Sequence, residues 1–408
     1  MKRVITTVGT SLFTNYLKKK DDINEHWEAI KDKPAEQYDN CKDRIGRIKP
    51  SILKFIKENN YSASAEIKSI LKISSEIDDE IEVRLLASDS VASVLAAEIL
   101  SGNNFDGGKL IFDRDKDTIK GLVVDDGRLF EKEGMPNLIE RIENICGGYY
   151  ENVVINMTGG FKATIPYLTI MGQVNNIPLY YIFEETEELI KIPQAPIDIS
   201  WGIFEKYSSV FSDLAKGIEK NWNQYKREKN IEDDFRICIW EDKENNGMAE
   251  LNAIGRIFWN RYKRIILVYI LRGMEYFREN RGNKNQINKA IQELYRKLNR
   301  HIEGNNLKSN SKDDLFASIG KLSSSHDLNH GGTISKDKFI FKSTDIAQTR
   351  LVYSFNFDNG EIKSLKIYDY KRGGAKFNHQ AYIEEFKQKD KAISGCEFIS
   401  IQLLKEGV

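Results

Sequence analysis

The chain has 408 residues, with 61 Lys+Arg against 61 Asp+Glu, so its formal net charge is zero. Taken whole, that balance argues against a nucleic-acid partner, which draws excess positive charge, and a hydrophobic content of 40% excludes global disorder. The sum hides a split: residues 271–408 hold 24 basic and 17 acidic side chains, a net of +7, and the first 270 residues carry the opposite excess.

Two halves of opposite charge point to domains with different partners, and the length fits about two or three domains. No apolar run approaches the ~20 residues that span a bilayer; the best is IILVYIL, Ile265 to Leu271, flanked by Arg264 and Arg272. MKRVITTVG opens the chain as a strand, with no signal-peptide hydrophobic region behind it. Cys41, Cys146, Cys238 and Cys396 are far apart and form no CxxC pair. They read as reduced thiols of a cytosolic protein, with no zinc site and no disulfide framework.

In chain order, VITTVG (Val4 to Gly9) reads as a strand, and residues 51–73 carry helical spacing. EVRLLAS (Glu82 to Ser88) is a second strand, followed by the alanine-rich helix VASVLAAEIL. KGLVVD (Lys120 to Asp125) reads as a third strand, and Met135 to Ile145 as an amphipathic helix. VVINMTGG (Val153 to Gly160), the helix FKATIPYLTIMGQV and PLYYIFE (Pro178 to Glu184) complete the series. Strand–helix alternation of this kind predicts an α/β fold with a doubly wound parallel sheet.

Three polar loops follow strand ends, where such sheets bind ligands. They are Gly9-Thr10-Ser11, Ser88-Asp89-Ser90 and Asn156 to Lys162. Hydroxyls, paired glycines and a lysine at a helix start suit a phosphate. None of the loops is GxGxxG or GxxxxGK[ST], so neither a nicotinamide cofactor nor ATP is indicated. Alone, Gly159-Gly160 reads equally well as a tight strand-to-helix turn.

ITTVGTSL, SAEIKSILKI (Ser64 to Ile73), LLASDSVASVLAAEIL, VVINMTGGFKA and GQVNNIPLYYIFEE resemble, in that order, the CRISPR-associated Rossmann fold (CARF) domains of type III CRISPR ancillary proteins. The resemblance covers residues 1–197. It implies a homodimer that binds a cyclic oligoadenylate, most often the four-nucleotide ring, as an allosteric activator in place of a cofactor. It also implies that Thr10, Ser11, Ser88, Asp89, Thr158, Gly159, Gly160 and Lys162 line that pocket. Some CARF domains cleave their ligand slowly, and Lys162, Thr10 and Ser11 are then the expected residues.

Residues 198–272 read as a mostly helical connector, with a short strand at FRICIWE and a helix through AELNAIGRIFWNRYKRIILVYIL. AELNAIGRIF resembles the winged-helix-like connectors of CARF proteins. The other reading is a plain helical linker.

Residues 273–408 are expected to form the effector. Arg296 and His301 fit the Arg-x4–6-His spacing of HEPN ribonucleases, but the β-rich KFIFKS, RLVYSFNF and IKSLKIYDY that follow do not suit a domain helical throughout. Two helices, KNQINKAIQELYRKLNRHIE and DLFASIGKL, precede those strands. Alternation places Lys338 and Lys342 on one face of the first strand, with Ile340 between them. Asp358-Asn359-Gly360-Glu361 is a hairpin signal, and the helix HQAYIEEFKQ closes the unit. RLVYSFNFDNGEIKSLKIYDYKR resembles the core of RelE-type mRNA interferases, an α+β fold. That resemblance implies cleavage of mRNA on the ribosome without metal. It casts Arg350 and Arg372 as phosphate-contacting arginines, Lys338 or Lys342 as the lysine, and Tyr382 as the following tyrosine; His379 is an equal acid/base candidate. Metal-free RNA cleavage needs a base for the 2′-OH, cations for the charged transition state and an acid for the leaving oxygen, and arginine forks suit phosphate oxygens. His326 and His330 lie in a glycine-bearing loop with no third ligand near. The remaining reading is a ligand-gated transcription regulator using the winged-helix-like middle.

Overall fold

The computed structural model of the chain describes residues 1–103, 108–183, 186–242, 247–346, 348–373, 378–393 and 396–405. These fall into two compact units. One comprises Met1–Ile199 and Val210–Arg261, the other Ser200–Ser209 and Tyr262–Val408.

The first unit is built on β1 (Lys2–Val8), α1 (Ser11–Leu17), α2 (Lys42–Asn59), α3 (Ala65–Glu76), β2 (Ile81–Ser88), α4 (Val91–Ser101), β3 (Lys109–Ile111), α5 (Met135–Cys146), β4 (Val153–Asn156), α6 (Ile165–Asn175), β5 (Leu179–Ile182) and β6 (Leu189–Ile192). The sheet runs β3-β2-β1-β4-β5-β6, and every neighbour is parallel except the closing β5–β6 pair. Strands covered on both faces read as continuous apolar runs, and Val4 to Val8 are all buried. The helices start where the chemistry directs them: Ser64 and Ser90 accept the N–H of Ile67 and Ser93 and so cap α3 and α4. Because β2 lies on one side of β1 and β4 on the other, strand order reverses beside β1. That opens a crevice at the carboxyl ends of β1 and β4.

KGLVVD is not a strand. Residues 120–125 form a turn, pinned by the Gly121 N–H on Asp89 Oδ2 at 2.9 Å and by Gly121 at φ +77°. The edge positions are taken by β3 and by the short Thr118–Ile119 strand that pairs with β2.

Within Val210–Arg261, β7 (Ile218–Asn221), β8 (Ile239–Asp242) and β9 (Met248–Leu251) form an antiparallel sheet in the order β7-β9-β8, followed by α7 (Ala253–Arg264). The expected single helix through AELNAIGRIFWNRYKRIILVYIL is three elements. MAEL pairs as a strand, and α7 stops where the run Ile265–Leu271 begins. Such runs are β-formers, and a strand is where they pack best.

That run is β10 (Ile265–Leu271) of the second unit, followed by α8 (Arg281–Gly304), α9 (Lys312–Gly320), β11 (Phe339–Lys342), β12 (Arg350–Asp358), β13 (Glu361–Lys371), α10 (His379–Ile393) and β14 (Phe398–Leu404). A boundary at 272/273 would cut β10 from its sheet, so the unit's chain resumes at Tyr262. The sheet order is β11-β12-β13-β10-β14, with β10 parallel to β13 and every other pair antiparallel. A parallel pair needs a long crossover, and the stretch from α8 to β12 supplies it. Asn359 and Gly360, at φ +51° and +78°, make the tight β12–β13 turn that DNGE predicts. One sheet face packs Ile266, Val268, Tyr353 and Phe355 against Ile287, Ile291 and Leu294 of α8. The other carries a small separate cluster, in which Ile340, Val352 and Tyr368 meet Tyr382, Ile383 and Phe386 of α10.

Candidate functional site

A cavity of about 380 Å³ opens at the crevice between the ends of β1 and β4. Thr10 and Ser11 reach it from the loop after β1, and Thr158, Gly159 and Gly160 from the loop after β4. The two loops touch closely. A Cβ on Gly159 would lie 2.5 Å from the Thr7 carbonyl oxygen and 2.4 Å from Glu66 Oε1, so only glycine fits. Gly160 has φ +80°, the left-handed region that glycine enters freely. The Thr7 hydroxyl donates to the Gly159 carbonyl at 2.6 Å and ties the loops together.

The residue that organises this floor is Glu66, which the sequence reading did not single out. It is buried at 1% exposure. Its Oε1 accepts the Gly9 N–H at 2.9 Å and its Oε2 the Ser11 hydroxyl at 2.7 Å. Ser11 Oγ in turn accepts the Ala65 N–H at 3.0 Å. The Ser11 proton is therefore committed to Glu66, and what Ser11 offers a ligand is acceptor capacity. Thr158 differs: its Oγ1 accepts the Ile182 N–H at 3.0 Å, which leaves its hydroxyl proton to point elsewhere. Lys18 and Lys68 supply positive charge at the cavity wall. The signal for Glu66 was present in the sequence. It lies on one helical stripe with Ile70 and Ile73, and a carboxylate on a buried stripe carries a function or a fixed bond.

The other residues expected here lie apart from the cavity. Ser88 is buried, with its N–H on Ser93 Oγ at 2.9 Å and its hydroxyl 3.3 Å from Ser90 Oγ. Asp89 spends its carboxylate on the backbone N–H groups of Ala35 and Gly121, so it holds two loops in place. Lys162 is exposed at the start of the 162–164 turn and does not line the cavity. None of these three is among the residues that line this cavity.

Residues 61–195 match the family model of the CRISPR-associated protein Cas_APE2256. That match supports a CRISPR-associated protein. It takes in Glu66, Thr158, Gly159 and Gly160, and begins after Thr10 and Ser11. No curated protein matches the chain.

In the second unit the expected residues separate into two environments. Arg350 is 1% exposed beneath α10, and its Nη1 donates to the carbonyl oxygens of Gln348 (2.9 Å) and Gly373 (3.2 Å). Burial lowers its pKa from the usual guanidinium value. Tyr382 is 3% exposed on the same face, and burial raises its phenol pKa well above the usual value. Arg350 and Tyr382 are thus interior groups in this conformation: Tyr382 belongs to the apolar side of α10, which packs on the sheet face that carries Arg350. Arg372 is exposed instead, with its guanidinium on Asn283 Oδ1 (2.6 Å) and Glu279 Oε1 (3.0 Å). Lys338 and Lys342 are half-buried on the face that carries Ile340, and Lys342 pairs across the strands with Arg350. His379 begins α10, and its side chain lies outside the described residues.

The HEPN-type pair is placed differently. His301 Nε2 is 2.9 Å from Ser318 Oγ, and burial lowers its pKa from the usual imidazole value. The β-rich unit around α8 is not helical throughout, which is the order that reading requires. His326 Nδ1 accepts the Leu328 N–H at 3.1 Å and so caps the start of the Asp327–Asn329 turn. Among the described residues no cluster of His, Cys, Asp and Glu could hold a metal ion, and no helix is long and apolar enough to cross a membrane.

Proposed function

We propose that the chain is a cyclic-oligoadenylate-activated, metal-independent endoribonuclease of type III CRISPR defence, acting as a cytoplasmic homodimer that cleaves mRNA on the ribosome. The observation that carries this reading is the β1–β4 cavity. It lies at the switch point of a parallel sheet, carries paired glycines and loop hydroxyls, and falls largely in the stretch that matches a CRISPR-associated family. An anionic ring would meet Thr10, Thr158 and the backbone of Gly159 and Gly160, with Lys18 and Lys68 at the wall. Cyclic tetra-adenylate is the ring expected to fit.

For the effector, support comes from element order. Two helices followed by antiparallel strands is the arrangement that the RelE resemblance leads one to expect, and α8 and α9 precede the antiparallel β11, β12 and β13; the parallel β10 lies outside that expectation. In the reaction, the 2′-OH attacks the adjacent phosphorus and the leaving oxygen takes a proton. Arg372 is the exposed cation for the phosphate charge; Lys342 ends β11, two strands from β13, and Lys338 immediately precedes β11. Arg350 and Tyr382 reach RNA only when α10 moves, so ligand binding must favour that second arrangement of α10 over the closed one.

The test is toeprinting of mRNA on stalled ribosomes, with and without cyclic tetra-adenylate. Cleavage within the A-site codon only with the ring is the expected result. No cleavage in either condition, or cleavage of free RNA at the same rate, overturns the reading.

A further inference from the structure

A second cavity, of about 530 Å³, lies in the second unit, away from Arg350 and Arg372. It sits where β12 becomes an edge strand. β11 pairs with β12 only between Arg350 and Tyr353, so from Ser354 onward that side of β12 has no strand neighbour. The floor is polar: Ser354 and Asn356 of β12 and Ser364 of β13. The walls are built in a repeated way. Three rings, Phe316 of α9, Tyr368 of β13 and Phe398 of β14, line the cavity, and each has a lysine ammonium over it. Lys312 is 5.5 Å from the Phe316 centroid, Lys366 is 5.5 Å from Phe398, and Lys338 is 4.9 Å from Tyr368.

Two lysines, Lys312 and Lys366, and two carboxylates, Glu205 and Asp337, line this cavity. Among the described residues, neither Lys312 nor Lys366 has a carboxylate partner. Glu205, from the Ser200–Ser209 segment, does line the cavity, but its carboxylate accepts three sheet donors: Tyr269 Oη at 2.7 Å, Asn356 Nδ2 at 2.9 Å and Ser364 Oγ at 2.5 Å. Those bonds engage both of its oxygens with the sheet, and it fixes the side chains of the floor. Asp337 accepts the Ser335 hydroxyl at 2.9 Å. Two lysine heads without carboxylate partners, the partly exposed Phe398 ring and hydroxyl and amide groups are the set that binds an unpaired nucleotide: the ring stacks the base, ammonium groups take the phosphate and polar groups meet the sugar.

We infer that this cavity seats a nucleotide of single-stranded RNA. The inference rests on the ribonuclease reading for the choice of RNA, and it adds a holding site for the strand that shares only Lys338 with the residues proposed for cleavage. A base already paired in a duplex cannot enter to stack, so the site is selective for unpaired strands.

The experiment is fluorescence anisotropy of a labelled 12-nucleotide single-stranded RNA with the full-length chain. The double variant Lys312→Ala/Lys366→Ala should weaken binding at least about tenfold. Phe398→Leu keeps apolar volume but loses the ring, and should weaken it by about fivefold or more. Removal of two exposed lysines elsewhere in the unit, Lys289→Ala/Lys321→Ala, should change it by less than about twofold. Unchanged affinity in the first two variants overturns the assignment. So does an equal loss in the control, equal binding of the same sequence as a duplex, or no binding by the unaltered protein. Activity separates the two proposals: ribosome-dependent cleavage that persists while the cavity variants bind normally removes this site and leaves the ribonuclease reading standing. Loss of RNA affinity in the cavity variants, in a chain that never cleaves, does the opposite.

Discussion

Glu66 accepts the Ser11 hydroxyl at 2.7 Å, which joins the first turn of α3 to the loop after β1 at the floor of the cavity. The same carboxylate holds the Gly9 N–H. Glu66→Ala therefore orphans two donors beside a 1%-exposed position, and a buried unsatisfied donor costs about 1–3 kcal/mol. Ser11→Ala removes the partner of both the Glu66 carboxylate and the Ala65 N–H and should cost about 1–3 kcal/mol. Because the two share a bond, the double variant should be less destabilised than the sum of the singles, as urea unfolding of all four proteins would measure. Strict additivity would show that the bond contributes nothing.

Arg350 and Arg372 predict opposite phenotypes. Arg350 is enclosed and bonds two backbone carbonyls, so Arg350→Ala should lower stability by about 2 kcal/mol or more whatever it does to activity. Arg372 is exposed, and its pair with Glu279 contributes at most about 1 kcal/mol. Arg372→Ala should thus melt near the unaltered protein yet lose RNA cleavage by about 100-fold or more, the scale of a removed transition-state cation. His301→Ala should leave cleavage within about twofold, the margin expected of a residue remote from the transition state. Thermal melts beside ribosome-dependent cleavage assays decide it, and loss of cleavage in His301→Ala with retention in Arg372→Ala would shift the centre to α8.

How legible this was in the sequence depends on what fixed each element. The β12–β13 hairpin was readable because Asn359-Gly360 alone dictates the turn. The parallel sheet was readable from apolar runs between helices. β10 was not, because a buried run of seven residues next to a helix has no periodicity to separate strand from helix; its neighbours β13 and β14 lie about 100 or more residues further along and decide it. β14 was missed because, among the described residues, its only strand partner is β10. In the site, the glycine loop carries its own signal, whereas the burial of Arg350 depends on where α10 lands, and that is tertiary. Glu66 was recoverable from its stripe, but only by asking why a carboxylate should face inward.

The pairing of α10 with β13 gives a pH signature. Glu385 bonds the ammonium groups of Lys371 and Lys389, and these hold its carboxyl down at about 2. A carboxyl depressed in the folded state contributes stability above its unfolded pKa, near 4.5, and loses that contribution as pH falls toward 2. The group is well exposed, so solvent screening limits the effect to about 1 kcal/mol or less. Glu385→Gln should accordingly melt slightly below the unaltered protein at pH 7, and the gap should close between pH 4.5 and 2. A gap that persists at pH 2 would assign the loss to packing rather than charge.

Gly159 offers the most direct test of the cavity as a binding site. Its position leaves no room for a methyl group, with backbone of Thr7 on one side and the fixed Glu66 carboxylate on the other. Gly159→Ala must push the 158–160 loop away from β1, at about 1–3 kcal/mol for an overpacked site. Thr10→Val, by contrast, alters an intermediate-exposure side chain at the cavity rim and keeps its branched shape. If the cavity receives the ring, both should weaken cyclic tetra-adenylate binding by calorimetry, the alanine variant through displaced backbone donors and the valine variant with no change in melting temperature. A valine variant that binds normally would place the ring elsewhere, since the only chemistry removed is the hydroxyl of a residue that lines the cavity.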